Sequence, residues 1–223
     1  MTFNIDRMAT YESFLKLNGT VGNLVFYNLN GKNVVRKKSG FNKNAFKKSA
    51  SYEKVRQNSS EFGHCSKVGK VFRQCLEPYI KECDDALLYQ KFAKLMTEIK
   101  DLDIISEKGK RTVKNGIATD EGLMMLRDFQ FGEISPLENL VSVSEGLWDY
   151  SLALNKSISV DEIIVETLKI DFDEYESEHF KEIISAGKTH NEYVFQKHFS
   201  ESDVQFHFVA LKKDNEIIRM GFV

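Results

Sequence analysis

The chain has little that would mark a secreted, membrane-spanning or disulfide-stapled protein. Only two of its 223 residues are proline, and no segment is low in complexity. No apolar run approaches the roughly 18 residues a membrane helix needs. The N-terminus, MTFNIDRMATYESFLKL, lacks the basic start and continuous apolar stretch of a secretory signal. These absences lead us to expect a soluble protein made in the cytoplasm, without a membrane span. Export by a route without such a signal stays open. The three cysteines, Cys65, Cys75 and Cys83, are odd in number and close together. That argues against a disulfide framework and for reduced, buried thiols.

Signatures of phosphate, nucleophile and metal chemistry are also missing. The stretch GTVGNLVFYNLNGKNVVRKKSG (19–40) begins glycine-rich, but Gly19 and Gly22 do not have P-loop spacing. No Lys-Ser or Lys-Thr follows, and the next element reads as a strand rather than a helix. G-x-G-x-x-G and G-x-S-x-G are absent. Ser51 and Lys54 fit S-x-x-K by letter without its partner motifs, so they read as a helix cap and a surface charge. Asp171-Phe-Asp173 begins like a calcium loop. Tyr175 then takes the fifth place, and Glu176 stands where glycine makes the sharp turn. Pairing of 192–199 with 204–211 would place His198 opposite a residue near 205 rather than His207. His64 and Cys65 point about 100° apart on a helix. We expect no metal, no cofactor and no catalytic residues.

What the chain does have is a division of charge. Residues 1–75 carry 14 basic and 4 acidic side chains, a net +10; residues 76–223 carry 17 and 29, a net −12. A basic end of this kind meets phosphate, an acidic protein, or the acidic end of another copy.

The apolar pattern gives an α+β layout. Asn30-Gly31 between two β-rich runs predicts a hairpin of 23–28 with 33–38, because a type I′ turn needs positive φ at both central residues. Apolar spacing predicts a helix over 49–80, with Gly63 and Gly69 inside it, and a second helix opened by Pro78 and continuing through Ile99. Together these suggest a helical hairpin. A polar joint follows at 107–116, and Asp120 is placed to cap a short helix. Beyond 129 the runs 147–154, 163–172, 192–199, 204–211 and 216–223 read as strands of an antiparallel, sandwich-like domain. The expected division is 1–130, a hairpin and helical domain, and 131–223, an acidic β domain.

The basic residues concentrate in one segment: Lys32, Arg36, Lys37, Lys38, Lys43, Lys47, Lys48, Lys54, Arg56, Lys67, Lys70 and Arg73, interleaved with Phe41, Phe46 and Tyr52. The acidic counterpart is Asp171, Asp173, Glu174, Glu176 and Glu178. The basic stretch can be a solvated face, a dock for an acidic protein surface, or a nucleic-acid site working by phosphate neutralisation and stacking.

Three phrases, G-T-V-G-N-L-V-F-Y with G-K-x-V-V-R-K-K (19–38), R-Q-N-S-S-E-F-G (56–63) and K-V-G-K-V-F-R (67–73), resemble an uncharacterised family of bacterial proteins. In that family a hairpin is followed by a helix with R-x-N-x-x-E-F and A-G-K-x-x-R phrases. E-K-G-K-R-T-V (107–113) and Phe129-Gln-Phe131 are similar to its middle part. The resemblance covers roughly 18–132; it implies this layout, and no catalytic residues come with it.

Three functions follow. The first is a non-enzymatic structural or assembly protein, joining itself head to tail or docking on an acidic partner, as parts of phage-like particles and fibres do. The second is nucleic-acid binding through 32–73. The third is an enzyme whose site is assembled from scattered residues such as Asp84, Asp85, Asp101 and Asp103. The first is the expectation.

Overall fold

The computed structural model describes residues 8–13, 16–38, 43–155, 158–187, 190–200 and 202–223. Phe41 and residues 1–7, 14–15 and 39–40, which enter the sequence reading, lie outside them. The chain is α+β and forms two compact units, Met1–Glu53 and Lys54–Val223.

The first unit contains a four-stranded antiparallel sheet of β1 (Met8–Thr10), β2 (Gly19–Val21), β3 (Leu24–Leu29) and β4 (Lys32–Lys37), in the order β1-β4-β3-β2. Its centre is the expected hairpin. Asn30 and Gly31 have φ of 50° and 81°, the left-handed pair that a type I′ turn demands. The Asn28 side chain closes the turn by accepting from Gly31 N at 3.0 Å. A short helix α1 (Lys43–Lys48) and a 3-10 turn (Ala50–Tyr52) end the unit.

The second unit begins with helices. The long helix α2 (Glu53–Cys75) stops where Leu76 leaves helical geometry and Pro78 opens α3 (Glu77–Glu82). The second arm of the expected helical hairpin is interrupted. Asp84 takes a φ of 44°, Asp85 Oδ1 accepts from Leu87 N at 2.8 Å, and α4 (Leu88–Asp101) starts afresh. Two short helices follow, α5 (Val113–Ile117) and α6 (Asp120–Arg127). The cap of α6 is Thr119, whose hydroxyl accepts from Gly122 N at 3.1 Å; Asp120 is the first helical residue instead.

Seven strands complete the unit: β5 (Val141–Glu145), β6 (Asp149–Leu154), β7 (Glu162–Asp171), β8 (Glu176–Ser185), β9 (Glu192–Gln196), β10 (Gln205–Lys213) and β11 (Glu216–Phe222). They make one sheet ordered β11-β10-β7-β8 and another ordered β5-β6-β9. Two of these strands, β5 and β8, are absent from the sequence reading. β8 is amphipathic only weakly, since its exposed face is as charged as a loop. The pairing of 192–199 with 204–211, considered for the placement of His198, does not form: β9 pairs β6, and β10 pairs β7 and β11.

Alternation on β7 and β10 divides the core in two. Ile164, Leu168, Ile170, Phe206, Phe208 and Ala210 point to the helices. There Phe72 of α2 meets Phe206 at 5.2 Å and Phe222 at 5.8 Å between ring centroids. The alternate residues Ile163, Val165, Val209 and Leu211 share a second cluster with Tyr150, Leu152, Tyr193 and Phe195 of the other sheet. Because the helices bury their apolar stripe on this sheet, they belong with it. The chain divides at residue 53 rather than at the expected 130.

Candidate interaction surfaces

The basic segment is split between the units. Lys32, Arg36 and Lys37 lie on β4, Lys38 follows it, and Lys43, Lys47 and Lys48 lie on α1. In the first unit Lys32, Lys37, Lys38, Lys43, Lys47 and Lys48 are exposed and Arg36 is half-buried. Lys54, Arg56, Lys67, Lys70 and Arg73 all sit on α2. Lys54, Lys67 and Lys70 are exposed there, and Arg56 is half-buried.

Arg73 departs from the sequence reading. It is 9% exposed, with its guanidinium 3.8 Å from the centre of the Tyr89 ring, and burial lowers its pKa. Gly69 makes room for it, since a Cβ there would stand 3.0 Å from Arg73 Nη1. An arginine stacked inside its own unit is not offered to a partner.

The acidic residues cluster at the β7–β8 turn. Asp171 Oδ1 accepts from the backbone of Asp173 and Glu174, each at 2.9 Å, and these bonds hold its carboxyl below the usual range. Tyr175, at φ 59°, places its hydroxyl 3.0 Å from His64 Nδ1 of α2. Val113 N donates to His64 Nε2 at 2.9 Å, so Nε2 is the bare nitrogen and Nδ1 carries the proton toward Tyr175. Lys67 Nζ lies 4.5 Å above the Tyr175 ring, and Lys114 reaches Asp173 at 3.2 Å. Glu178 pairs Lys169 at 3.0 Å. The acidic turn therefore stands beside the C-terminal half of α2, next to one of the lysines the sequence set against it. Glu174 and Glu176 remain exposed, with no ion pair among the described residues.

Three of the four scattered carboxylates, Asp85, Asp101 and Asp103, have structural partners. Asp85 pairs Lys91 at 2.6 Å. Asp101 meets Lys100 at 2.6 Å and Arg111 at 2.8 Å. Asp103 accepts from Ile105 N, Ser106 N and Thr112 N at 2.9–3.0 Å. Burial works against the Asp103 charge, yet these bonds hold its carboxyl well below the ordinary range. At the centre is Glu61, 3% exposed, a residue the sequence reading did not single out. It takes Arg111 Nη2 at 2.7 Å and Nε at 2.9 Å, Gly109 N at 2.6 Å and Lys100 Nζ at 3.0 Å. The Arg111 fork in particular brings its pKa down to about 2. This network ties α2, α4 and the 102–112 loop together. A second buried carboxylate, Glu166, accepts from Tyr79 Oη at 2.7 Å and lies 3.2 Å from His179 Nδ1.

The thiols lie in the core. Burial pushes Cys65 and Cys83 up to about 11, which makes them poor nucleophiles.

The sequence also passed over a groove of about 780 Å³ in the second unit. It lies between β5 and the end of β11, with α6 alongside. Tyr150 and His207 line it, His207 Nδ1 being 3.3 Å from the Thr167 hydroxyl, and burial brings His207 down to about 4. Arg127, Asp128, Glu138 and Glu145 also line it. His207 was legible as a lone histidine, but its neighbours come from four elements and share no sequence spacing. No protein-family model, curated protein or solved structure matches the chain.

Proposed function

We propose that this is a non-enzymatic assembly protein, in which the basic N-terminal unit docks on the acidic second unit of another copy. One observation carries the reading. Among the described residues of the four-stranded N-terminal sheet, Val34 is the one buried apolar side chain. Val21, Leu24 and Leu29 are exposed on the same sheet. Val21 and Leu24, opposite each other in the β2–β3 register, share one face, and a small sheet with so little buried among the described residues gains stability by covering it. Its charge favours an acidic cover: residues 1–53 hold 9 basic and 3 acidic side chains, and 54–223 hold 22 and 30. The contact joins two different surfaces, so it closes as a ring or grows as a fibre, the geometry of phage-like particles. The suspected bacterial family and the sandwich reading of the two sheets in 141–223 belong to the same proposal. Light scattering against ionic strength tests it. We expect a mass above that of the monomer at low salt that falls as salt rises; a monomer at every concentration and salt overturns it.

Nucleic acid is the second reading, favoured by the exposure of Lys37, Lys38, Lys43, Lys47 and Lys48. It expects a gel shift at low salt that is abolished when Lys37, Lys38, Lys47 and Lys48 are all changed to Glu.

A further inference from the structure

Sheet edges are places where chains join, and most edges in the second unit are blunted. β8 carries Glu176, Glu178, Lys181 and Glu182. β9 is covered on its far side, where Glu182 Oε1 accepts from Gln196 N at 3.0 Å. The outer side of β11 is bridged by Ser135, whose carbonyl accepts from Met220 N at 3.3 Å.

On β5 the one charge is the terminal Glu145, and no backbone group bonds its outer edge among the described residues. β5 is the end strand of its sheet and reads Val-Ser-Val-Ser-Glu. Asn155 N donates to Leu140 O and Gly146 N to Asp149 O, both at 2.8 Å. With the register Val141↔Leu154, these bonds make the even-numbered residues the hydrogen-bonded partners of β6. The backbone N–H and C=O of Val141, Val143 and Glu145 therefore point away from β6, into the groove. Phe222 also turns its backbone away from β10 there, since Val223 N bonds His207 O on the alternate register. The hairpin tip beyond β5 bears Leu147 and Trp148, 81% and 79% exposed. An exposed tryptophan beside an open edge is an anchor of the kind that dominates interfaces.

In the first unit the β2 edge is open among the described residues. β2 is the end strand of its sheet, uncharged (Gly-Thr-Val), with Val21 66% exposed. Gly22 and Asn23 form the two-residue turn to β3, so Val21 and Leu24 are the hydrogen-bonded pair and Thr20 faces outward.

We infer that β2 of one copy adds in parallel to the β5 edge of a second copy, with Thr20 opposite Ser142, making the two sheets continuous, with Leu147 and Trp148 covering the apolar face of the incoming sheet. Asp128 and Glu138, which carry no ion pair among the described residues, receive the basic side chains of that sheet. Glu145 is already paired with Lys197 at 2.6 Å. This inference rests on the assembly reading and names its contact.

The test uses the full chain. Val143→Pro and Thr20→Pro each remove one outward N–H while sparing the pairing within the home sheet. Trp148→Ala removes the anchor. Sedimentation at low salt should show each variant associating at least tenfold more weakly than wild type. Cross-linking covers the case in which a proline variant misfolds: Thr20→Cys protein mixed with Ser142→Cys protein should give a disulfide-linked dimer under mild oxidation. An Ile183→Cys protein in place of the Ser142→Cys protein should not. Wild-type association that survives all three substitutions, or equal cross-linking to Ile183→Cys, overturns the edge pairing and leaves assembly standing. A wild type that never associates overturns both.

Discussion

Among the described residues, the sheet of the first unit has one fully buried apolar side chain, Val34, at 4% exposure. β7 of the second unit buries six consecutive residues, from Ile163 to Leu168. Both are antiparallel strands in four-stranded sheets, and both have good local β chemistry. They differ in whether other layers cover them. β7 has helices on one face and a second sheet on the other, so alternation gives way to a continuous buried run. The first sheet holds together by its ladders and the Asn30-Gly31 turn. Two ways of making a sheet stable should therefore fail in different ways, and substitutions can separate them.

The largest effect should come from Glu61. Glu61→Ala leaves Lys100 and Arg111 with the half-exposed Asp101 as their remaining shared carboxylate at a buried site, which costs about 3 kcal/mol. Calorimetry should show the main unfolding transition falling steeply. The pH profile gives the sign. The folded value of about 2 lies below the ordinary 4.5, so the contribution of Glu61 is complete above pH 4.5 and is lost as pH falls toward 2. A Glu61→Ala protein with an unchanged transition would mean that the network is not what holds α2 to α4.

Next in size is His207. Its folded value of about 4 lies below the ordinary 6.5, so protonation favours the unfolded chain. Its contribution is complete above pH 6.5 and lost between pH 6.5 and 4, worth about 3 kcal/mol. Wild type should destabilise across that window, and His207→Gln should flatten the slope there. A smaller step of about 1 kcal/mol is expected for Thr119→Ala, which removes the α6 cap. Thermal melts that match wild type would assign the cap to another group.

How much of this was legible in the sequence follows the range of the interactions. The hairpin was readable because Asn30-Gly31 fixes it locally. So was the break at Pro78, because proline cannot continue a helix. The α+β class followed from the change in period after 129. The strand partners were not readable: β9 and β10 adjoin in sequence, yet the second core pulls them into different sheets. β8 hid because its exposed face is charged. Arg73 looked like its lysine neighbours, and nothing in its spacing announces Tyr89 beneath it. Of the candidate surface, the lysines stand exposed, and the segment that holds them is divided between two units. The open β5 edge was invisible, because an edge is defined by what fails to pair.

The smallest expected effect is the most direct probe of the comparison. Val34→Ala removes the one apolar side chain of the first sheet that is buried among the described residues. Cavity formation there should loosen β1, β3 and β4, which Val34 touches through its pairings with Thr10 and Tyr27. Hydrogen exchange at these strands should accelerate, since a sheet with few buried contacts opens at low free energy. The main calorimetric transition, which reports the Lys54–Val223 core, should move by less than about 0.5 kcal/mol, as distant sites usually add independently. A main transition that falls with Val34→Ala would make the two units one cooperative structure. Exchange that speeds up only in β1–β4 would keep them apart, with the first sheet free to find its cover on another copy.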